Sequence, residues 1–222
     1  MRRRRKQRIR RKIQLYTRMA IALVILLLLV FVGMRFFEIG PFSKKYMERT
    51  GNAIDAYKPE IDVQLLTVNE YSRPGIRSGR IKNIVIHYTA NPGSTAMQNR
   101  NYFEGLKKSK ETSASSHFVV GLDGEIVQCV PTWEVAYASN HRNSDTVSIE
   151  TCHMTADGSY TEETYESLVK LTAWLCKKFD LTEDDVIRHY DITEKICPKY
   201  FVEHEDAWET FKKRVGEALN KM

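Results

Sequence analysis

Residues Ile81–Tyr88, IKNIVIHY, carry four β-branched side chains in eight and a single charge. An apolar run of this length without polar alternation is the pattern of a strand covered on both faces, and such strands sit in the middle of α/β sheets. The run ends on His87, where a strand brings its side chains to the sheet edge. Asn91-Pro92-Gly93 breaks it, and Ser94 is a candidate N-cap for a helix to about Lys108.

Toward the C-terminus, His117–Gly121 and Glu125–Val130 read as strands joined by the hairpin signal Asp123-Gly124. Thr132–Ser144 is mostly loop, and VSIETC at Val147–Cys152 is a further strand. Ser159-x-x-Glu162 reads as a capping box, followed by an apolar helical stripe of Leu168, Leu171, Leu175 and Phe179. Val186–His189 is a short strand. Glu203–Asn220 is a closing helix with Trp208, Phe211, Val215 and Leu219 on one face. Toward the N-terminus, IDVQLLTV from Ile61 is a short strand or a packing arm, and residues 38–60 resemble a stalk with a short helix near Tyr46–Tyr57. The expected fold is α/β, a single domain with a central mixed β-sheet flanked by helices and preceded by one transmembrane helix. The boundaries fall at 1–18 (polybasic tail), 19–37 (anchor), 38–70 (stalk and packing arm) and 71–222 (globular domain).

The formal net charge of +6 comes from the N-terminus. Residues 1–18 hold ten Lys or Arg and no acid, and without them 24 basic side chains face 28 acidic ones, a balance of −4. A nucleic-acid-binding domain carries a basic face of its own, so nucleic acid is not an expected partner. Met19–Met34 follows, sixteen residues without a charge. At 1.5 Å per residue it covers about 24 Å of a hydrocarbon core of about 30 Å. Snorkelling Arg18 and Arg35, with Tyr16, Phe36 and Phe37 at the interfaces, extends that reach. A cleavable signal peptide competes with the anchor reading, but Val30–Phe37 offers bulky residues and an arginine where a small-x-small cleavage site belongs. The expectation is a single-pass cell-membrane protein with a cytoplasmic N-terminus and an external domain. Of the four cysteines, Cys129 and Cys152 could pair, Cys176 lies on a helix as a buried thiol, and Cys197 is a candidate ligand.

The chemistry gathers in VIRHYDITEKICPKYF, Val186–Phe201. Here His189 ends a strand and Cys197 follows eight residues later, before a proline. Imidazole and thiolate are donors that zinc prefers. His87 also ends an apolar strand, Lys195 lies two residues before the cysteine, and Glu150 projects from the mostly apolar VSIETC strand. A glutamate there needs a partner, such as Arg142 or Arg188, or a task. His204 sits in a charged segment, His141 in a loop, and His117 opens a strand from which it can line a cleft.

In this order, IVIHYTANPG, the SSHFVVGLDGEIVQCVP hairpin, VSIETCH and RHYDITEKICPKYF resemble the zinc-dependent N-acetylmuramoyl-L-alanine amidases, which share a fold with the peptidoglycan recognition proteins. The likeness runs from about Ser72 through the closing helix, making 71–222 an amidase domain. The resemblance implies one catalytic Zn2+ held by His87, His189 and Cys197, with Glu150 and Lys195 catalytic. It implies peptidoglycan as substrate, cut at the amide between N-acetylmuramic acid and L-alanine. Three protein ligands leave a fourth position open, the pattern of a catalytic site. Tyr88, His117 and Asn143 are the candidate substrate contacts. The chain departs from the family at Ser116, where some phage members have a catalytic tyrosine, and at Ala136-Tyr137-Ala138, where many members have Ala-Trp-His. A non-catalytic peptidoglycan-binding module of the same fold is the alternative.

Overall fold

The computed structural model describes residues 2–36 and 55–222; the helix expected near Tyr46–Tyr57 lies largely outside them. They belong to two units divided between Ala56 and Tyr57. In the first, α1 runs over Arg2–Phe36. Its apolar stretch Ile13–Met34 spans 22 residues, long and apolar enough to cross a membrane.

The second unit is built on a mixed sheet. The expected central strand is β2 (Asn83–Ile86), with its last three residues fully buried. It lies between β5 (Thr146–Thr151) and β6 (Val186–Arg188), parallel to both. The order is β1-β4-β3-β5-β2-β6, with β1 at Asp62–Val63, β3 at Phe118–Val120 and β4 at Ile126–Gln128. The β3/β4 hairpin is antiparallel, while β1 joins β4 and β5 joins β3 in parallel. All three residues of β3 are buried, so both sheet faces are covered. Val119 packs with Leu66, Phe103, Val127 and Cys152 beneath α2 (Ala96–Ser109). Against β2 and β3 lies α3 (Glu162–Phe179), burying Leu168, Leu171 and Leu175. The end of the chain folds as α4 (Tyr190–Thr193), α5 (Lys199–Glu203) and α6 (Glu205–Leu219). Phe201, Trp208 and Phe211 stack together there, with Phe201 and Phe211 centroids 5.1 Å apart.

Several boundaries differ from expectation for local reasons. Thr95, not Ser94, caps α2, because the Ser94 hydroxyl donates to the Asn91 carbonyl and accepts from Asn99 Nδ2. Thr161, not Ser159, caps α3, since Ser159 is held by the Asp157 carboxylate. The closing helix begins at Glu205 rather than Glu203, because Glu203 ends the short α5 and His204 separates the two. The arm from Ile61 is both strand and packing arm: after β1, Leu66 donates to the Cys129 carbonyl and enters the core. Cys129 and Cys152 share that core as free thiols, and all four cysteines are buried and free.

Two stability predictions follow from this frame. Gly124 sits at φ +80°, where a Cβ would lie 2.7 Å from Ser167 Oγ and 2.8 Å from the Glu163 carbonyl. Gly124→Ala is expected to cost about 1–3 kcal/mol, from a left-handed non-glycine residue plus that clash. A urea midpoint equal to wild type refutes this. Glu104 fastens the arm to α2: its carboxylate accepts from Thr67 N–H and Oγ1 and pairs with Lys107 and Arg100. Burial pushes its pKa up, but hydrogen bonds from Lys107 and Thr67 outweigh this and hold it at about 2. A depressed carboxyl pKa stabilises the fold above the unfolded value near 4.5 and is lost as pH falls toward 2. Glu104→Gln should therefore flatten acid denaturation between those limits, and superimposable wild-type and variant curves would refute the assignment.

Candidate active site

Parallel neighbours in register point their side chains the same way, so the ends of β2, β5 and β6 converge. Ile86 pairs with Ile149 and with Arg188, which places His87 beside Glu150 and His189. The pattern continues past the named strands, as His87 N–H donates to the Ile149 carbonyl and His189 N–H to the Ile86 carbonyl. The His87 and His189 rings lie 4.6 Å apart. After His189 the chain turns through α4, and Tyr190 N–H donates to the Cys197 carbonyl at 2.9 Å, which closes the loop and returns Cys197 to the two histidines. Cys197 Sγ stands 3.8 Å from His87 Nδ1. One donor atom from each of His87, His189 and Cys197 lies within 4.8 Å of the others, all three buried.

Arg188 clamps this corner. Its guanidinium binds the Asp191 carboxylate, the Phe201 carbonyl and Glu205. Arg142 pairs with Asp145. Neither arginine is the Glu150 partner considered from the sequence. Glu150 Oε2 is instead buried with no hydrogen-bond partner among the described residues, and His87 Nε2 is in the same condition. Unsatisfied buried polar atoms are uncommon in folded proteins, and these two belong to residues on adjacent strands.

The electrostatics suit a cation. Burial, then the neighbouring His189 and Lys195, hold His87 well below the ordinary imidazole range, and burial and Lys195 lower His189. Both imidazoles are therefore neutral at pH 7, the form that donates a lone pair. Burial pushes the Cys197 thiol up to about 12 and the Glu150 carboxyl up to about 8, with Lys195 opposing both. Lys195 itself is exposed on the turn before Cys197, close enough for its charge to act on all four groups. Two neutral imidazoles and a buried thiol form a donor set that a divalent metal would satisfy, with the half-buried Glu150 carboxyl on the neighbouring strand.

Residues 77–200 match the family model described as N-acetylmuramoyl-L-alanine amidase. The chain belongs to this amidase family. It is 36% identical to the N-acetylmuramoyl-L-alanine amidase CwlL of Bacillus licheniformis over 165 residues, 68% of this chain and 45% of that protein. It is 34% identical to the N-acetylmuramoyl-L-alanine amidase BlyA of Bacillus subtilis (strain 168) over 176 residues, 70% of this chain and 46% of that one. This family member thus spans about half the length of the curated relatives it matches. Among solved structures, the catalytic domain of XlyA superposes with a TM-score of 0.60 at 26% identity, covering 71% of this chain and all of that domain.

Within this amidase-family domain, the remaining candidates take varied places. Tyr88 is half-buried against the His153 ring, and its backbone N–H donates to Cys197. His117 does not line a cleft. It is 1% exposed, with Nδ1 at 3.0 Å from Ser148 Oγ and Nε2 at 2.9 Å from the Glu134 carbonyl. Asn143 turns into its own loop, its side-chain oxygen accepting from Ala138 and Ser139 N–H. In both residues, polar side-chain atoms are taken up by backbone groups that need partners. Ser116, at the place of the phage tyrosine, is buried and donates to the Ser148 carbonyl. Two residues were not singled out from sequence. His153 is 1% exposed and has an unpartnered Nε2; the VSIETCH motif was its only signal. Asn140 had none, yet its Oδ1 lies 2.8 Å from His189 Nε2. Just past β2 a polar cleft of about 680 Å³ opens between Thr89, Asn91, Gly93, Ser94, Gln98 and Tyr102.

Proposed function

We propose that this chain is a zinc-dependent N-acetylmuramoyl-L-alanine amidase acting on peptidoglycan from the outer side of a membrane in which it is anchored. The observation that carries this reading is the convergence of His87, His189 and Cys197 beside a half-buried Glu150 whose Oε2 has no hydrogen-bond partner among the described residues. Zinc bonds of about 2.1 Å to nitrogen and 2.3 Å to sulfur give a tetrahedral edge of about 3.6 Å. The 3.8 Å between His87 Nδ1 and Cys197 Sγ is close to that edge. His87, His189 and Cys197 would hold the ion, which when bound supplies Lewis-acid polarisation of the scissile carbonyl and acidifies water toward pKa ~7.

The protein groups supply the rest. Glu150 accepts a proton from the attacking water and returns one to the leaving amine of L-alanine. Lys195 places its ammonium toward the developing oxyanion, a contribution of roughly 2.7–4 kcal/mol for a well-aimed donor. The polar cleft past Thr89 suits a hydrated glycopeptide. The stretch Ile13–Met34 is long enough for a membrane span, and the arginine-rich residues before it favour a cytoplasmic N-terminus. On this reading residues 1–18 are the tail, 19–37 the anchor, 38–70 the stalk and arm, and 71–222 the amidase domain.

The test is the purified full chain in detergent, assayed for zinc content and for release of L-alanine-headed peptides from cell wall. Metal-bound protein that releases peptides supports the reading. Protein that binds peptidoglycan and zinc without releasing peptides supports the binding-module alternative.

A further inference from the structure

We propose that Asn140 is a positioning residue of the metal centre, its side-chain carbonyl holding His189 in the Nε2–H tautomer so that Nδ1 carries the lone pair offered to the metal. This rests on the zinc reading above. Asn140 Oδ1 lies 2.8 Å from His189 Nε2, and the ring is 7% exposed, so water is a poor substitute partner. A neutral imidazole carries one N–H. With Nε2 taken up by Asn140, Nδ1 is the nitrogen left for a ligand. Histidine ligands in metalloproteins commonly donate their second N–H to such a carbonyl or carboxylate, which fixes both tautomer and ring orientation. His87 lacks this arrangement, since its Nε2 has no partner among the described residues.

The loop is built to present that carbonyl. Asn140 sits at φ +54°, a left-handed conformation that asparagine tolerates better than most residues. Asn143 Oδ1 gathers the Ala138 and Ser139 N–H groups at 3.1 and 2.6 Å. Arg142 ties the same turn to Asp145 at 2.8 Å and to Asn83 Oδ1, at the start of β2, at 2.6 Å, and Thr146 Oγ1 donates to the Arg142 carbonyl. The asparagine is therefore referenced to the two strands, β2 and β5, that deliver His87 and Glu150. This gives Asn143 and Arg142 a role in holding the turn rather than in touching substrate.

The experiment uses the full chain in detergent. Asn140→Gly keeps the left-handed backbone and removes the acceptor; Asn140→Asp keeps both. Long-range 1H–15N spectra of 15N-histidine-labelled, chelator-treated protein report the tautomer of each ring directly. The expected result is Nε2–H at His189 in wild type and Asn140→Asp, with that preference lost in Asn140→Gly. Zinc affinity, read by competition with a chelating indicator, should fall about 10–100-fold in Asn140→Gly and recover to within a few-fold in Asn140→Asp. An Nδ1–H tautomer in wild type overturns the proposal, and this readout needs no variant to fold. Equal zinc affinity in folded Asn140→Gly and wild type overturns it too. Wild type that binds no zinc but keeps His189 as Nε2–H sinks the zinc reading alone, so the two failures are distinguishable.

Discussion

Cys197→Ala is expected to lose both the metal and the activity. The substitution leaves two imidazoles in a pocket where the sulfur sits 3.8 Å from His87 Nδ1. Losing only an outer partner of a metal ligand costs about 10–100-fold in affinity, so removal of the anionic ligand itself should exceed about 100-fold. Zinc per chain after gel filtration should fall from near one to near zero, and peptide release should fall with it. A second reading comes from stability. Zinc at about 1,000 times its Kd adds roughly 4 kcal/mol to a protein that binds it only when folded. Wild type should melt higher on zinc addition, while Cys197→Ala should not respond. The thiol is 2% exposed, so alanine opens only a small cavity, and the metal-free variant should still fold. A variant retaining a full complement of zinc would remove Cys197 from the ligand set.

Glu150→Gln separates chemistry from binding. The side chain keeps its shape in the β5 position next to His87 but cannot take a proton. General acid–base groups contribute about 10²–10⁴-fold, and the loss should appear in kcat with zinc content unchanged. The arginine partners considered for this glutamate are spent elsewhere, Arg142 on Asp145 and Arg188 on Asp191 and Glu205. No ion pair of Glu150 with either arginine therefore breaks to confuse the result. Full activity in Glu150→Gln would move the base to another residue; the unpartnered His153 Nε2 is then the next candidate. Peptidoglycan binding without turnover in wild type itself would favour the module reading instead.

Much of this was legible along the chain because it depends on near neighbours. A β-branched apolar run such as 81–88 has few conformations that bury it, and His87 and His189 at strand ends follow from strand direction. The stripe at Leu168, Leu171 and Leu175 is a 3.6-residue period, and Asp123-Gly124 names its turn through the positive φ that glycine adopts at +80°. These are local rules, and they carried the sheet, the helices and the apolar membrane-length stretch of α1.

Other features depend on which distant groups meet, and no spacing reports that. Ser94 and Ser159 each have the chemistry of a cap, but neighbouring loop groups claim their hydroxyls before the helix can. His117 and Asn143 have the chemistry of ligand contacts, yet the Glu134 carbonyl and the Ala138 and Ser139 N–H groups, brought near by folding, claim theirs. Asn140 lies 49 residues from His189 and becomes its partner only because β5, β2 and β6 are adjacent. Composition and local pattern thus sufficed for fold class, and the family resemblance for naming the candidate metal ligands. The competition among buried polar groups for partners, which settles which side chains remain free to act, was decided only in the tertiary structure.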